Sequence, residues 1–573
     1  MSSGWTCAIN PDLDTMKEKL ARFGMAFILA WSTLPVCSQT LAWLSHYGNG
    51  NPATAYFNIG LRVAMDNTGG LYCAGSVGGP VLDMDGHTVT VMGERDILLA
   101  KLDSSGQTEW AVSAGGNCLD AWDDVGWVGF DGAAQHVVVA GAYSGAASFG
   151  TLSSGGVCDS SNLFLASYDT TGVCLWVNHV RTVGGMYMDA LVDPSSQVHW
   201  FVNPWGGHAV FVDSLSQSIN GGGAILARYG SDGDFQGAQR VMAHGQIADA
   251  EWVGDDWLLA GLFSPGDSLW NTPLTCASSG NDGFLARTDT SGSLQWLATV
   301  SSDNNTAYFS EVKRLASGKI IALGGFSGNA HFEDVTITGS SSCNSGFIAA
   351  YEPTGQFLWA VPIWSQQSFV YTSDLHIGPD GSIYVQGSTY ESFTIDTTFI
   401  DIDASIEMFV AKLDTLGNYM GVLRIGRTTH GTPGSVLVDN DALFVSYNYD
   451  STMVVDGTTV NLSGADARDL FVAKFDDLSS LTGVQQLNLS NETLYIHSNP
   501  NNGLCTIALP ESLQGRDGLM LSVFDNTGQL VQRAPLEFTD GGLKLDVRAQ
   551  AKGIYHVELD DGKRRYTGTL VYE

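Results

Sequence analysis

The stretch Ile97-Leu-Leu-Ala100-Lys-Leu-Asp103-Ser-Ser-Gly106 is one of seven copies of a single pattern. The pattern is a short apolar run, an alanine, an aspartate or a substitute three residues later, and usually a glycine three residues after that; a second copy ends in Asp169-Thr-Thr-Gly172. The copies centre on Ala100, Ala166, Ala227, Ala286, Ala349, Ala411 and Ala473, at intervals of 66, 61, 59, 63, 62 and 62 residues. A period this regular indicates a repeat architecture.

Three further apolar segments lie in each period. A tryptophan segment such as Trp110-Ala-Val follows the alanine by ten residues, a run closing on glycine such as Asp380 to Gly387 comes next, and a short segment such as Thr336-Ile-Thr precedes the next alanine. These segments are rich in Val, Ile, Phe, Tyr and Trp and are bounded by turn residues, which is typical of β-strands. We therefore expect an all-β fold, a seven-bladed β-propeller with four-stranded blades running from the tryptophan strand to the alanine strand.

Two other architectures fit the period less well. A parallel β-solenoid usually has shorter repeats, and a string of separate 60-residue units would bury little core in each unit. The repeats around Ala227, Ala411 and Ala473 lack the tryptophan, a variation that repeats tolerate because their packing is approximate. The sequence leaves two candidates for the strand that closes the ring, because Thr40 to Gly48 and Leu481 to Leu487 both resemble the missing strand of the last blade.

Composition and charge exclude several classes of protein. The 573 residues are 44% hydrophobic and 15% charged, so the chain can bury large cores and is not disordered. Sixty acidic against 26 basic side chains give a formal charge of −34. Because so acidic a surface repels polyanions, we expect no nucleic acid partner.

An apolar run from Phe23 to Val36 follows Lys17, Lys19 and Arg22, which indicates a secretory signal peptide rather than a membrane span. We place residues 1–39 in an N-terminal extension and signal peptide, with Met16 as an alternative start, and expect no transmembrane span in the mature chain. A lipid-anchored start at Cys37 is the alternative. Seven cysteines follow the signal, an odd number that leaves at least one unpaired, and we expect mostly free or buried thiols.

The repeats over residues 40–487 resemble the bacterial SBBP β-propeller repeat. The resemblance rests on the core of Phe, hydrophobic residue, Ala-Lys, hydrophobic residue, Asp-x-x-Gly, which Leu99 to Gly106 shows from its second position onward. It implies a propeller scaffold and names no active site.

Residues 488–573 resemble the C-terminal type A sorting domain of the type IX secretion system of Bacteroidetes. The resemblance rests on three motifs in order: Leu494-Tyr-Ile-His-Ser-Asn499-Pro500-Asn501, then Leu521 to Val531 with its turn glycine Gly528, then Lys552-Gly553-Ile-Tyr555. The turns between these motifs predict a small antiparallel β-sandwich. The resemblance implies the type IX machinery as partner and delivery to the outer-membrane surface or outside, with Asn499, Pro500, Asn501, Gly528, Gly553 and Tyr555 as the sorting motif.

No stretch of the chain has the spacing of an enzyme motif or of a calcium loop. The run Asp103-x-x-Gly106-x-x-x-Trp110 resembles the tryptophan-docking motif of quinone-dependent dehydrogenase propellers, where it is structural, and the vicinal cysteine pair of many such enzymes is absent. Acidic pairs such as Asp123-Asp124 and Asp255-Asp256 are interpreted as solvated turn residues. We therefore expect no catalytic residue, no metal and no cofactor.

Six tryptophans outside the regular position could form a ligand-binding face: Trp122, Trp127, Trp200, Trp205, Trp252 and Trp364. We expect a non-enzymatic recognition or adhesion protein with a glycan or protein ligand. The alternatives are a polysaccharide hydrolase or lyase with carboxylates on the axial face, and a structural module of the envelope.

Overall fold

The computed structural model describes residues 40–478 and 492–573, apart from gaps at 49–58, 80, 94, 117, 119–122, 155–160, 183–185, 205–207, 213–217, 221, 305, 341–342, 367, 403–405, 429–432, 451, 456–457, 463–468, 509–519, 526–529, 536–542, 549 and 561–564. The signal segment, Leu481 to Leu487 and Gly528 therefore lie outside the described residues. No helix in the described part of the chain is long and apolar enough to cross a membrane.

Seven antiparallel sheets fill the described residues from 40 to 478, and each has four strands from the inside outward. We number them blades 1 to 7 in chain order. The innermost strands are Ile59–Met65, Asp124–Asp131, Met186–Val192, Gln246–Val253, Ala307–Arg314, Val370–Ile377 and Pro433–Asp439. The second strands are Leu71–Gly78, His136–Ser144, Val198–Pro204, Asp256–Phe263, Ile320–Ser327, Ile383–Thr389 and Ala442–Tyr449.

The third strand of each blade carries the repeated alanine. These strands are Arg95–Leu102, Ser161–Asp169, Ile225–Tyr229, Asp282–Asp289, Asn344–Tyr351, Ile406–Leu413 and Asp469–Asp476. The outer strands are Thr108–Gly116, Cys174–Thr182, Phe235–Arg240, Leu294–Ser302, Phe357–Trp364, Tyr419–Thr428 and, for blade 7, Thr40–Tyr47. The repeated alanines are fully buried, because their side chains point out of the sheet into apolar clusters that adjacent blades share.

The innermost strands contact one another in order around the molecule, and the strand of blade 7 contacts the strand of blade 1. The sheets therefore form a closed ring around an axis, and the prediction of an all-β propeller is confirmed. Closure removes the exposed hydrophobic edge that an open array of such sheets would leave.

The N-terminal strand closes the ring. Thr40–Tyr47 pairs antiparallel with the third strand of blade 7, from Thr40 opposite Asp476 to Tyr47 opposite Leu470. Of the two candidates for this place, the structure shows the N-terminal one paired, so both ends of the propeller sequence belong to one sheet.

The order of strands within a blade differs from the sequence expectation. The tryptophan strand is the outermost strand of its own blade, not the first strand of the next blade, and the innermost strand was not recognised. A repeat of one period can be divided into blades at any point, so only the pairing of strands reveals the true boundary.

The short segments are hairpins inserted between second and third strands. They are Val81–Met84 with His87–Thr90, Ala147–Phe149 with Leu152–Ser153, His208–Val212 with Ser218–Asn220, Ser268–Leu269 with Thr272–Pro273, Asn329–Phe332 with Val335–Thr338, Phe393–Ile395 with Thr398–Ile400, and Met453–Val455 with Thr458–Val460. Four of these hairpins add to the outer strand of the preceding blade in the described residues. They therefore connect neighbouring blades.

Tryptophan docking joins adjacent blades. The Trp110 ring of blade 1 packs on Gly172 of blade 2, and its indole Nε1 donates a hydrogen bond to the carbonyl of Thr170 at 2.9 Å. The Asp169 carboxylate organises the same turn by accepting the amides of Thr171 and Val173. In the described part of the chain, the docked pairs of ring and turn glycine are Trp43–Gly106, Trp110–Gly172, Trp176–Gly233, Trp270–Gly292, Trp296–Gly355 and Trp359–Gly417.

Trp270 comes from a hairpin of blade 4 rather than from the outer strand of blade 3. It packs on Gly292 in the place that a tryptophan of the third repeat would occupy, where the outer strand has Gly237 instead. The third repeat is therefore degenerate in sequence but keeps the docked indole.

The C-terminal segment folds into two sheets around a separate core. Its strands are Glu492–Thr493, Tyr495–His497, Leu504–Ala508, Met520–Phe524, Leu530–Pro535, Leu543–Asp546, Gly553–Asp560 and Arg565–Tyr572. Apolar side chains from the three-stranded and the five-stranded sheet pack together, among them Ile507, Leu545, Val523 and Val557. This is the predicted small sandwich, antiparallel except that Glu492–Thr493 runs parallel to Arg565–Tyr572.

Five cysteines of the described residues are thiols rather than halves of a disulfide: Cys73, Cys174, Cys276, Cys343 and Cys505. All but Cys276 are buried. Cys118 is in a disulfide bond.

Candidate functional site

A cavity of about 600 Å³ lies on the axis of the propeller. Every innermost strand contributes to its lining, with one representative each from blades 1 to 7: Arg62, Trp127, Asp189, Asp249, Glu311, Asp374 and Ser435. Its volume is in the range of pockets that hold small ligands.

A β-bulge in six of the described innermost strands turns side chains towards the cavity. In six of the seven described innermost strands, the pairing with the second strand shifts register at a bulge. The residue after the bulge is Arg62, Trp127, Asp249, Glu311, Asp374 or Val436, and each of these lines the cavity. Bulges re-aim side chains and are frequent next to functional sites. The repeats thus share the bulge and differ in the residue it presents.

Three aspartates of the cavity connect one blade to the next. Oδ2 of Asp189 accepts the backbone amide of Ala250 at 2.9 Å, Oδ2 of Asp249 accepts that of Val312 at 2.7 Å, and Oδ2 of Asp374 accepts that of Val436 at 2.7 Å. Each bond runs from one innermost strand to another. These carboxylates therefore stabilise the ring, and their charge at the cavity wall is partly satisfied by amide donors.

Blade 5 departs from this arrangement because Glu311 and Lys313 stand on its innermost strand. The Nζ atom of Lys313 lies 2.9 Å from Oδ2 of Asp249 and 3.2 Å from Oε2 of Glu311. One third of the Lys313 side chain is exposed, so solvent reaches this part of the cavity. Glu311 makes no bond to a backbone amide of the next blade within the described residues, which leaves it available to a ligand.

The cavity changes the acidity of its carboxyl groups. Burial, together with repulsion from Asp249, raises the pKa of Asp189 and of Glu311 well above the ordinary values. Burial also raises the pKa of Asp374, although the charge of Arg62 opposes this shift. Burial lowers the pKa of His376 to about 4, so this cavity histidine is neutral at physiological pH.

The six tryptophans outside the regular position do not lie together on one face. Trp127 lines the axial cavity. Trp200 is fully buried, Trp252 stacks on His199, and Trp364 lies partly buried at the end of an outer strand. Trp122 and Trp205 lie outside the described residues.

Three exposed aromatic side chains belong to blade 6: Phe369 directly precedes its innermost strand, Tyr371 lies on that strand, and Tyr390 directly follows its second strand. Tyr371 is three residues before Asp374 on its strand, as Tyr308 is three residues before Glu311, and Tyr308 lines the cavity. The rings of Phe369 and Tyr371 stack with centroids 5.8 Å apart. Phe369, Tyr371 and Tyr390 are each 40–45% exposed. We call Phe369, Tyr371 and Tyr390 the aromatic rim.

The acidic pair Asp123-Asp124 is not solvated, contrary to the sequence interpretation. Asp123 is buried between blades 1 and 2, and its oxygens accept the amides of Gly116 at 3.0 Å and Ser144 at 2.9 Å. Asp255 is exposed, as interpreted, whereas Asp256 forms an ion pair with Arg287 at 2.8 Å. No cluster of three or more metal-binding side chains occurs among the described residues.

The sorting motif ties down the last strand of the C-terminal sandwich. Asn499 donates to the carbonyl of Thr569 and accepts the amide of Val571, and the backbone amide of Asn501 donates to the carbonyl of Val571. The Tyr555 hydroxyl donates to the carbonyl of Ala551. Gly553 begins its strand, and Pro500 lies exposed between the two asparagines. The motif residues described here therefore have structural bonds or positions within the domain.

Comparison with known proteins identifies the C-terminal segment. Residues 495–573 match the family described as the secretion system C-terminal sorting domain. No curated protein matches the chain.

Among solved structures, the chain is similar to the extracellular region of plexin A4, with a TM-score of 0.36 and 7% identity over 91% of this chain and 62% of that chain. It is similar to Drosophila semaphorin 2a, with a TM-score of 0.35 and 8% identity over 91% and 98% of the two chains. It is also similar to a periplasmic gluconolactonase of Pseudomonas aeruginosa, with a TM-score of 0.37 and 11% identity over 75% and 99%. The chain thus spans less than two thirds of the plexin structure.

The fold assignment rests on the sheet topology, and the destination of the protein rests on the sorting domain. The chain carries a type IX secretion sorting domain, which directs it to the cell surface or outside.

Proposed function

We propose that the propeller is a non-enzymatic recognition protein that binds a glycan in its axial cavity after export. A cavity that encloses polar groups and one indole suits a sugar better than a protein surface, which usually offers a flatter and more apolar contact. A protein ligand is the outcome to consider if no glycan binds.

The proposal rests on a difference in hydrogen bonding among the cavity carboxylates. Asp189, Asp249 and Asp374 hold backbone amides of neighbouring blades, so they serve the ring. Glu311, Lys313 and Trp127 remain to contact a ligand. A few convergent polar groups beside an aromatic ring are typical of a binding site.

Substitution of Glu311 tests the cavity. E311Q removes a charge-capable hydrogen-bond acceptor at nearly constant volume, and we expect it to weaken binding of the recognised glycan by roughly tenfold, since bonds to charged groups contribute about 1.5–3 kcal/mol. Binding is measured by calorimetry after a glycan panel has identified a ligand. E333Q, on an exposed turn, is the matched control. Equal affinities of E311Q and the unaltered chain would place the ligand elsewhere.

A polysaccharide hydrolase or lyase is the second candidate. The raised pKa of Glu311 favours it, because glycosidases pair an acid of raised pKa with a second carboxylate, and Asp249 shares Lys313 with Glu311. Release of reducing sugar from a polysaccharide panel, lost in both E311Q and D249N, would establish this candidate and contradict the binding-only proposal.

A further inference from the structure

Arg62 is a cavity cation with no hydrogen bond or ion pair to any described residue. It follows the bulge of the first innermost strand, is partly buried and lines the axial cavity. It makes no hydrogen bond and no ion pair with any residue that the structure describes. Its guanidinium has five N–H donors in a planar fork, and none of them has an acceptor among the described residues.

Asp374 is a cavity carboxylate that the charge of Arg62 attracts, and it already accepts hydrogen bonds from other donors. Asp374 accepts the amide of Leu375 at 3.0 Å and that of Val436 at 2.7 Å, so both of its oxygens have partners. The other cavity cation, Lys313, has Asp249 at 2.9 Å. Among the described residues, Lys313 thus has direct ion-pair partners, whereas Arg62 attracts Asp374 without a direct bond to it.

A planar anion satisfies such a guanidinium best. Carboxylate and sulfate groups can accept two parallel N–H bonds from one arginine, and these bonds are about twice as strong as those between neutral groups. A sugar hydroxyl can accept only one such bond. The geometry of the fork therefore favours an acidic sugar over a neutral one.

We propose that the axial cavity binds the acidic residue of an oligosaccharide, with Arg62 contacting its carboxylate or sulfate group and Trp127 of the adjacent blade stacking on its ring. This inference rests on the proposed function of the cavity and names the class of glycan.

The aromatic rim extends the site beyond the cavity. Tyr371 has the strand position in blade 6 that cavity-lining Tyr308 has in blade 5, and its stacked pair with Phe369 is exposed. Aromatic faces of this kind stack on sugar rings. A second sugar therefore contacts the rim while the acidic sugar occupies the cavity.

The net charge of the chain limits the density of charge on the ligand. A formal charge of −34 repels a polyanion over long distances. The guanidinium of Arg62 attracts an anionic group only at short range, inside the cavity. Salt at physiological strength screens the distant charges more than the enclosed contact. We therefore expect short or sparsely charged acidic glycans to bind better than dense polyanions.

Four oligosaccharides test the inference on the mature full chain by calorimetry. They are a galacturonate trisaccharide, its methyl ester, a sulfated galactose trisaccharide and its desulfated form. We expect the acidic member of one pair to bind at least tenfold more tightly than its neutral counterpart, and which pair responds distinguishes carboxylate from sulfate.

Variants of Arg62 locate the contact. R62Q should lose the preference for the acidic sugar, and R62K should restore only part of it because an ammonium lacks the fork. R314Q, at the exposed end of the blade 5 innermost strand, is the control and should bind as the unaltered chain does. Thermal unfolding of R62Q and R62K shows that both variants fold, and comparison of the two separates the loss of the charge from the loss of the fork.

The outcomes separate the two proposals. Equal binding of acidic and neutral members would overturn the acidic-sugar inference and leave glycan recognition standing. An unchanged acidic preference in R62Q would also overturn it. Binding of none of the four, nor of any glycan on a broad panel, would overturn glycan recognition and the inference together.

Discussion

At the residue scale, one glycine decides whether two blades can dock. Gly172 has φ of +87° in the turn that Asp169 organises, and the Trp110 ring lies against its α-carbon. A Cβ at this position would meet the ring at 2.8 Å, closer than side chains approach in folded proteins. Glycine is therefore required twice, by its backbone conformation and by the ring.

Replacement of Gly172 separates these two requirements. G172A adds both a backbone penalty and a clash with Trp110, whereas G86A adds only the backbone penalty, since Gly86 has φ of +90° and open space around it. We expect G172A to lower the free energy of unfolding by about 1–2 kcal/mol more than G86A does. Chemical denaturation measures both. Equal losses of unfolding free energy in G172A and G86A would mean that the Trp110 ring moves aside without an energetic penalty.

Two buried carboxyl groups make stability depend on pH. Burial raises the pKa of Asp96 to about 6, and burial together with repulsion from Asp96 raises that of Asp123 to about 7. Both values lie above the ordinary value of about 4, so the folded chain holds more protons than the unfolded chain between these limits. The free energy of unfolding should therefore fall as pH rises from about 4 through about 7, by on the order of 3 kcal/mol per group.

Denaturation at several pH values checks this dependence. D96N should flatten the fall between about pH 4 and 7, because it removes one of the two titrating groups. D255N, at an exposed position, should leave the curve unchanged. A stability that rises with pH over this range would contradict the assignment.

At the element scale, the N-terminal strand fastens the ring. Thr40–Tyr47 covers the edge of the third strand of blade 7, and the Tyr47 hydroxyl lies 3.2 Å from that of Thr108 in blade 1. The strand therefore contacts both sides of the closure. Its loss would expose an edge that is ready to pair with another chain.

Deletion of residues 40–48 tests this closure. We expect the shortened mature chain to unfold at a lower temperature and to associate in size-exclusion chromatography, because the edge of blade 7 is open. A synthetic peptide of residues 40–48 should restore both properties by pairing in trans. A shortened chain that stays monomeric with an unchanged midpoint would show that the strand is dispensable.

At the scale of the whole molecule, two units carry separate tasks. The propeller holds the axial cavity, and the C-terminal sandwich with its own core carries the sorting function. Asn499 and Asn501 bond to the last strand, so the motif and the fold of the sandwich depend on each other.

Removal of residues 494–573 tests sorting in the cell. We expect the truncated protein to accumulate in the periplasm, since the propeller alone lacks the sorting domain. Protease added to intact cells and assay of the medium measure its location, with the full chain at equal expression as reference. Surface exposure of the truncated protein at the level of the full chain would contradict the role of the domain.

The sequence predicts less of the candidate site than of the fold. The sequence predicted axial carboxylates only as an alternative, without residues, and included Trp127 among six tryptophans. Arg62, Glu311 and Lys313 were missed because the innermost strand was not recognised as a strand. The signal available was its position, since each innermost strand starts 9 to 13 residues before the second strand of its blade.

What the sequence by itself determined is the scaffold: a period of about sixty residues, strands separated by glycine and aspartate turns, docking tryptophans, and a sorting domain with its motif. These features are local, because each depends on residues close together in the chain. Only the tertiary structure decided the blade boundaries, the closing strand and the axial cavity. The cavity residues lie about sixty positions apart, and ring closure alone brings seven single side chains to one axis.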